Sequence, residues 1–315
     1  MGSPGGRSRT ASPAGGGGPG ATHSEPSRTA SPGGGGGEVP HWIDLHSHTI
    51  ASDGELTPTA LLQRAAASGV RTLAVTDHDT VQGLAEAAVA ARAAGVELVN
   101  GIELSAELNG REIHVLGHFL EPTAPGLVAL ASEMGAERRE RMERMVAKLA
   151  AQGFPVTMEA VLAEAKGAIG RPHLARVLVA RGLAANVGDA FKKFLKPGMP
   201  GYVERRRLEA AQAISLLVKS GGTATVAHPG INKVSQQELR ELASLGLAGV
   251  EANHPDHVPS QVEAYERWGR ECGLVATAGS DFHGEKTTPG RKLGERSMRA
   301  EALAALRARA HGVTA

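Results

Sequence analysis

Little in this sequence suits oxidative cross-linking, membrane insertion or aromatic stacking. A single cysteine, Cys272, excludes a disulfide within the chain, and a chain that does without disulfides suits the cytoplasm. No apolar run approaches the ~20 residues that a membrane span needs. The first residues contain no apolar stretch resembling a signal peptide. Two Trp, two Tyr and five Phe are too few for a stacking platform, so a dedicated nucleic-acid-binding motif is not expected. Neither sign of charge dominates: the formal net charge is +1, and bulk charge selects no partner.

Residues 1–38 also lack anything to bury. They are mostly Gly, Ser and Pro. The element Ser8-Arg9-Thr10-Ala11-Ser12-Pro13 returns as Ser27-Arg28-Thr29-Ala30-Ser31-Pro32, each followed by glycines. Such a composition cannot offset the entropy of ordering, so a disordered tail is expected, either a dispensable stretch such as a linker or a docking or modification segment. Residues 39–315 have the length of one large domain. With 41% hydrophobic residues in the chain, a sizeable core is possible.

From Ile43 onward a rhythm is present. Short apolar runs end in chemically capable residues and are followed by helical patterns. Trp42–Leu45 leads into His46-Ser47-His48, Thr72–Thr76 into Asp77-His78-Asp79, and Val96–Val99 towards Glu103. Glu112–Leu116 reads as another strand and carries His114. Later runs precede His228, Asn253 and Ser280-Asp281. Continuous apolar runs of this kind suit buried parallel strands. Between them, Thr57 can cap a helix with Pro58 at its first position, Leu61, Leu62 and Ala65 on one face, and Gly69 as its stop. Thr80–Ala94 reads as a second helix ending at Gly95. The units alternate about every 25–30 residues, which implies a parallel α/β fold. Strand ends so rich in His, Asp and Glu favour a barrel, where functional residues collect at the C-terminal face.

Residues 122–205 break the rhythm. Met142, Met145, Val146 and Leu149 recur at helical spacing within a helix predicted over 137–149, and further helices are predicted over 157–166 and 171–181. This reads as a helical insertion able to roof the site. Residues 121–207 carry fifteen Lys and Arg against nine Asp and Glu. That surplus suits either an anionic substrate or a solvated helical face.

The chemistry lies at the strand ends. His46 and His48, at i and i+2 on a strand, point the same way and can reach one metal. Asp53 follows in a Ser-Asp-Gly loop that can fold back over them. His78, Glu103, His114, His228, Asp281 and His283 complete a set of six imidazoles and three carboxylates. Each has an ordinary explanation by itself: Asp53 as a turn former, Asp79 beside the set as a helix cap, His228 as a buried histidine. Together they would be hard to tolerate on one face without cations. Mixed His and carboxylate donors without cysteine suit hydrolytic Zn, Mn or Fe.

These motifs resemble the PHP (polymerase and histidinol phosphatase) family of metal-dependent phosphoesterases, over nearly the whole chain after Val39. Gly170-Arg171-Pro172-His173-Leu174-Ala175 and the stretch from Phe194 to Val203 resemble the branch of 3′,5′-nucleotide bisphosphate phosphatases, whose relatives also trim short RNA from the 5′ end. The resemblance implies a distorted (β/α)7 TIM-like barrel. It implies one metal on His46, His48, Glu103 and Asp281, a second on Glu103, His114 and His228, and a third on Asp53, His78 and His283. The cofactors would be two or three divalent ions, manganese foremost, with zinc, iron or magnesium as alternatives. Asp281 and His173 become the candidate catalytic residues, with His173 placed to protonate a leaving oxygen. Arg171 and Lys196 become candidates for gripping a second phosphate. The sequence departs from relatives at Pro229-Gly230-Ile231-Asn232-Lys233, after His228, and at Asn253–His257.

The expected reaction is therefore removal of the 3′-phosphate from a 3′,5′-bisphosphonucleotide, with short RNA as a further substrate. Phosphate-monoester hydrolysis is so slow uncatalysed that the site must supply on the order of 20 kcal/mol. A histidinol-phosphate or other small-metabolite phosphatase is the first alternative, although a cationic substrate end would want acid where the insertion is basic. A non-catalytic metal-bearing module is the second. An amidohydrolase shares His-x-His on a strand but usually needs a bridging lysine, and no strand end offers one.

Overall fold

The structure, a computed structural model, describes residues 1–2, 41–165, 169–205 and 207–310. The expected tail, apart from its first two residues, lies outside the described residues. The chain divides into Met1–Ser31 and Pro32–Ala315, and every element below belongs to the second unit.

The strands are β1 (Trp42–Asp44), β2 (Val70–Val75), β3 (Glu97–Leu108), β4 (Arg111–His118), β5 (Leu208–Glu209), β6 (Thr223–Val226), β7 (Gly249–Asn253) and β8 (Val275–Ala278). They form one sheet in the order β1-β2-β3-β4-β6-β7-β8, with β5 paired to β3. The helices are α1 (Pro58–Ala67), α2 (Leu84–Ala94), α3 (Pro125–Ala150), α4 (Met158–Glu164), α5 (Arg171–Ala180), α6 (Val187–Ala190), α7 (Ala210–Lys219), α8 (Gln236–Ser244), α9 (Pro259–Glu271) and α10 (Ala300–Arg307). A π-helical turn, Phe191–Leu195, continues α6. This is an α/β fold with a mostly parallel sheet. No helix among the described residues is long and apolar enough to cross a membrane.

Local chemistry explains most boundaries. The Thr57 hydroxyl accepts from the Ala60 amide, Pro58 opens α1, and Leu61, Leu62 and Ala65 are buried. Gly95 closes α2 in a left-handed conformation, φ +64°. α2 begins at Leu84, four residues later than the pattern predicts. Asp79 has φ +52°, and the Thr80 hydroxyl accepts from the Gln82 amide, so a turn forms first.

The expectation of uniformly parallel strands fails at β4, which runs antiparallel to both neighbours. The cause is local. Asn109 and Gly110, at φ +52° and +72°, make a two-residue turn that twists β3 directly into β4. β3 is consequently twelve residues long, and Glu103 and His114 lie within β3 and β4 rather than at strand ends.

Beyond β1 and β8 the two chain segments run side by side. Leu45 donates its amide to the Ala278 carbonyl (3.1 Å), Asp281 to His46 (2.9 Å) and His48 to Phe282 (2.9 Å). The apolar core is divided into separate clusters. One packs β3, β4, β6 and β7 against α7 to α9 and the start of α3. Another packs β2 against α1 and α2. A third belongs to the helical segment alone, with Met142, Met145, Leu149, Leu174, Leu178 and Leu195 among its buried residues. Each such side chain contributes roughly 1.5–3 kcal/mol.

Candidate metal centre

Glu103 is the hub of the site. It is fully buried in β3, and five imidazoles surround its carboxylate. Oε2 lies 3.2 Å from Nε2 of His46, 3.2 Å from Nε2 of His48 and 3.1 Å from Nδ1 of His78. Oε1 lies 2.7 Å from Nδ1 of His114 and 3.1 Å from Nε2 of His228. Asp281 faces the other side, with Oδ1 at 3.4 Å from His46, 3.3 Å from His48 and 3.4 Å from His283. His283 stacks on His48 with ring centroids 3.9 Å apart and places Nε2 3.3 Å from Asp53.

The structure thus brings together all nine residues named from the sequence. They form four overlapping groups: His46, His48 and Asp281; His46, Glu103 and His228; His78, Glu103 and His114; His48, Asp53, His78 and His283. Ligand atoms within each group lie within 4.8 Å of one another, and among the described residues no further side chain joins such a group. The donors fit divalent cations on two further grounds. Nε2 of His46 and Nε2 of His48 are only 3.1 Å apart, a separation that calls for a cation or a proton between them. Nδ1 of His78 and Oδ1 of Asp53 are buried without a well-aligned hydrogen bond, so each keeps a lone pair for a ligand.

The electrostatics carry the same message. Burial alone would hold the imidazoles neutral, yet Asp281 and Glu103 raise His48 to about 9. Burial likewise opposes charge on His114, and Glu103 and Glu112 overcome it, raising His114 to about 10. His78 goes the other way, to about 3, because burial there outweighs Glu103 and Asp53. The carboxylates compete for positive charge, which divalent cations can supply.

Neighbouring residues hold this geometry. Asp77 accepts from the Thr49 amide and hydroxyl (2.7 Å each) and from the Ser52 hydroxyl (2.6 Å), fixing the loop that carries Asp53. Gly54 is required there because a Cβ would lie 2.5 Å from the His48 carbonyl oxygen. Buried Asp79 accepts from Arg138 of α3 and from Arg205, and its other oxygen accepts from the Ser105 amide at 3.0 Å. It ties the helical segment to the sheet. Arg291 donates to Oδ2 of Asp281 (2.6 Å), and Nε2 of His254 lies 3.4 Å from the same oxygen. Sequence reading missed Arg138, Arg205, Glu251 and Arg291, and gave His254 no role. Only Glu251 leaves a signal, as a charge inside the apolar run Ala248–Ala252.

The substrate candidates sit less centrally. Arg171 opens α5, half-buried, with its guanidinium 4.0 Å from Glu112 and over the Phe191 ring. Glu112 in turn lies 3.5 Å from Nε2 of His114, so Arg171 borders the cluster. His173 is buried, and its Nδ1 accepts from the Gly170 amide at 2.9 Å, which places the proton on Nε2. It lines a cavity of about 360 Å³ with Glu55, Glu164, Arg176 and Lys286. Burial lowers its pKa, so at neutral pH it is a hydrogen-bond donor and not an imidazolium. Lys196 is exposed just past the π-helical turn.

Site and fold together define a metal-dependent phosphoester hydrolase. The PHP domain model matches residues 44–142. A 5′-3′ exoribonuclease of Haemophilus influenzae is 37% identical over 244 residues, covering 76% of this chain and 89% of the relative. A 3′,5′-nucleoside bisphosphate phosphatase of Chromobacterium violaceum is 36% identical over 247 residues, covering 76% and 87%. Among solved structures, a metal-dependent phosphoesterase from Bifidobacterium adolescentis superposes with a TM-score of 0.81 at 32% identity, covering 88% of this chain and 98% of that one. The chain belongs to the PHP family.

Proposed function

We propose that the nine side chains hold two or three divalent cations, manganese foremost, with zinc, iron or magnesium as alternatives. On this reading the enzyme removes the 3′-phosphate from 3′,5′-bisphosphonucleotides and trims short RNA from its 5′ end. The observation that carries it is the single buried Glu103 carboxylate met by five imidazoles. The names of the Chromobacterium and Haemophilus relatives support the substrate class.

When bound, divalent cations lower the pKa of a water towards ~7 and counter phosphoryl charge. The chain's own groups do the rest. Asp281, held by Arg291 and facing three imidazoles, is the catalytic carboxylate. Arg171 offers its guanidinium fork to the second phosphate. His173 directs Nε2–H at the leaving oxygen and supplies a hydrogen bond. Lys196 leaves an exposed ammonium for a longer anionic substrate. The hydrogen bonds between the segments after β1 and β8 support a distorted (β/α)7 TIM-like barrel. The self-contained cluster of the helical segment supports an insertion over residues 122–205. The single cysteine favours the cytoplasm.

The test is phosphate release, with Mn²⁺ present, from 3′,5′-bisphosphonucleotides, 5′-mononucleotides and histidinol phosphate, measured side by side. An Asp281→Asn, His283→Ala double variant serves as the metal-site control. Fast turnover of the bisphosphonucleotide, lost in the variant, is expected. Activity confined to histidinol phosphate would overturn the substrate while keeping the centre.

A further inference from the structure

Glu251 belongs to none of the four ligand groups, yet it touches two of their members. It sits in β7 and is buried. Its Oε1 accepts from Nδ1 of His46 at 3.0 Å. Its Oε2 accepts from the backbone amide of His228 at 2.7 Å. His46 comes from the segment after β1 and His228 from the end of β6, so one carboxylate fastens donors from two separate parts of the chain.

Both contacts have consequences for the atoms that face the centre. Donation from Nδ1 fixes the His46 tautomer and leaves Nε2 as the lone-pair atom, the one directed at Glu103 and Asp281. The second contact restrains His228 in a left-handed backbone, φ +28°, a conformation that a non-glycine residue keeps only when its surroundings impose it. Space has been left for the arrangement. A Cβ on Gly279 would fall 2.3 Å from Cβ of His46 and 2.7 Å from Oε1 of Glu251, so only glycine admits the pair.

We infer that Glu251 is a positioning residue that sets the affinity of the centre for divalent cations, by fixing the tautomer of His46 and the backbone of His228. The inference rests on the proposal that His46 and His228 are ligands. The stereochemistry gives a sharp variant. A carboxylate offers two acceptors to two donors. The amide in Glu251→Gln offers one acceptor and one donor, so in one flip its N–H meets the His228 N–H, and in the other it meets Nδ1 of His46 and favours the tautomer with the proton on Nε2.

The experiment measures Mn²⁺ binding by equilibrium dialysis with metal analysis on wild-type protein, Glu251→Gln and Gly279→Ala. Circular dichroism of the metal-free proteins controls for folding. We expect Glu251→Gln to fold and each variant that folds to bind Mn²⁺ roughly 10–100-fold more weakly, with the turnover of Glu251→Gln recovering at saturating Mn²⁺. A folded Glu251→Gln with wild-type affinity would overturn the inference, as would lost turnover that excess Mn²⁺ does not restore. Wild-type protein that binds no divalent ion would instead defeat the metal assignment itself. Should neither variant fold, nitrogen-15 spectra of histidine-labelled wild-type protein decide. A proton on Nδ1 of His46 is expected, and a ring protonated on Nε2 alone would refute the role.

Discussion

Around the centre, the segments that follow β2, β6 and β8 hold Asp79, His228 and Asp281 in left-handed backbone, at φ +52°, +28° and +50°. In the helical segment from Pro125 to Tyr202 the described residues with positive φ are all glycines: Gly153, Gly182 and Gly198. Each strained non-glycine residue costs on the order of 1–3 kcal/mol. The sheet accepts that cost because Asp281 and His228 must turn their side chains inward at the point where the strand stops. The helical segment uses glycine where its chain must turn, and its Arg171 and His173 project from an ordinary helix start. The donors proposed to hold cations thus stand on a strained frame, whereas the proposed substrate contacts stand on a segment with an apolar cluster of its own.

The largest effect expected is on the frame. Glu103→Ala removes the carboxylate shared by five imidazoles and should cut phosphate release on the order of 10³-fold, with bound Mn²⁺ falling below wild type in metal analysis. Retained stoichiometry would break the comparison. Next comes the helical core. Leu149→Ala should cost roughly 2–5 kcal/mol in urea unfolding, while dialysis against Mn²⁺ gives near-normal affinity in the folded protein. Loss of both together would show the two regions to be one unit. Third, Arg171→Ala should raise KM for a bisphosphonucleotide by roughly tenfold to a hundredfold, the worth of ~1.5–3 kcal/mol for a charged hydrogen bond, and leave the mononucleotide unaffected. An equal change for both substrates would remove Arg171 from the second phosphate.

The smallest expected effect lies outside both regions. Burial would push Glu238 up, but the Ser235 amide, Arg111, the Ser235 hydroxyl and Asn109 outweigh it and hold it at about 2, against an ordinary 4.5. A depressed folded pKa stabilises above the unfolded value and loses that contribution as pH falls through the folded one. Because solvent screens much of this interaction, wild type should exceed Glu238→Gln by about 0.2–1 kcal/mol near pH 6, a gap that closes between about pH 4.5 and 2. A gap that is constant with pH would assign the difference to something other than ionisation.

The sequence was readable where structure is local. Thr57, Pro58 and Gly95 are helix signals whose partners lie within a turn, and His46, His48, Asp281 and His283 stand out because polar groups interrupt apolar runs. β4 was misjudged although Asn109-Gly110 is a strong hairpin signal, because the strand–helix rhythm on either side argued for another parallel unit. Glu251 shows in the sequence only as a charge inside an apolar run, and what it does there is not legible because its partner His46 is 205 positions away. Arg205 and Asp79 are 126 apart, and nothing in either neighbourhood points to the other.

The nine donors run from His46 to His283, almost the full length of the folded chain, and this bears on how the protein is made. Synthesis delivers the N-terminal part first, so a nascent chain would display His46, His48 and Asp53 long before Asp281 and His283 emerge. A centre of the proposed kind could not assemble on a partial product. It would form only after the segment behind β8 had docked beside the one behind β1. Cation uptake would then mark the finished molecule, and ions at a hundred times their dissociation constant would add about 2.7 kcal/mol to the complete fold alone.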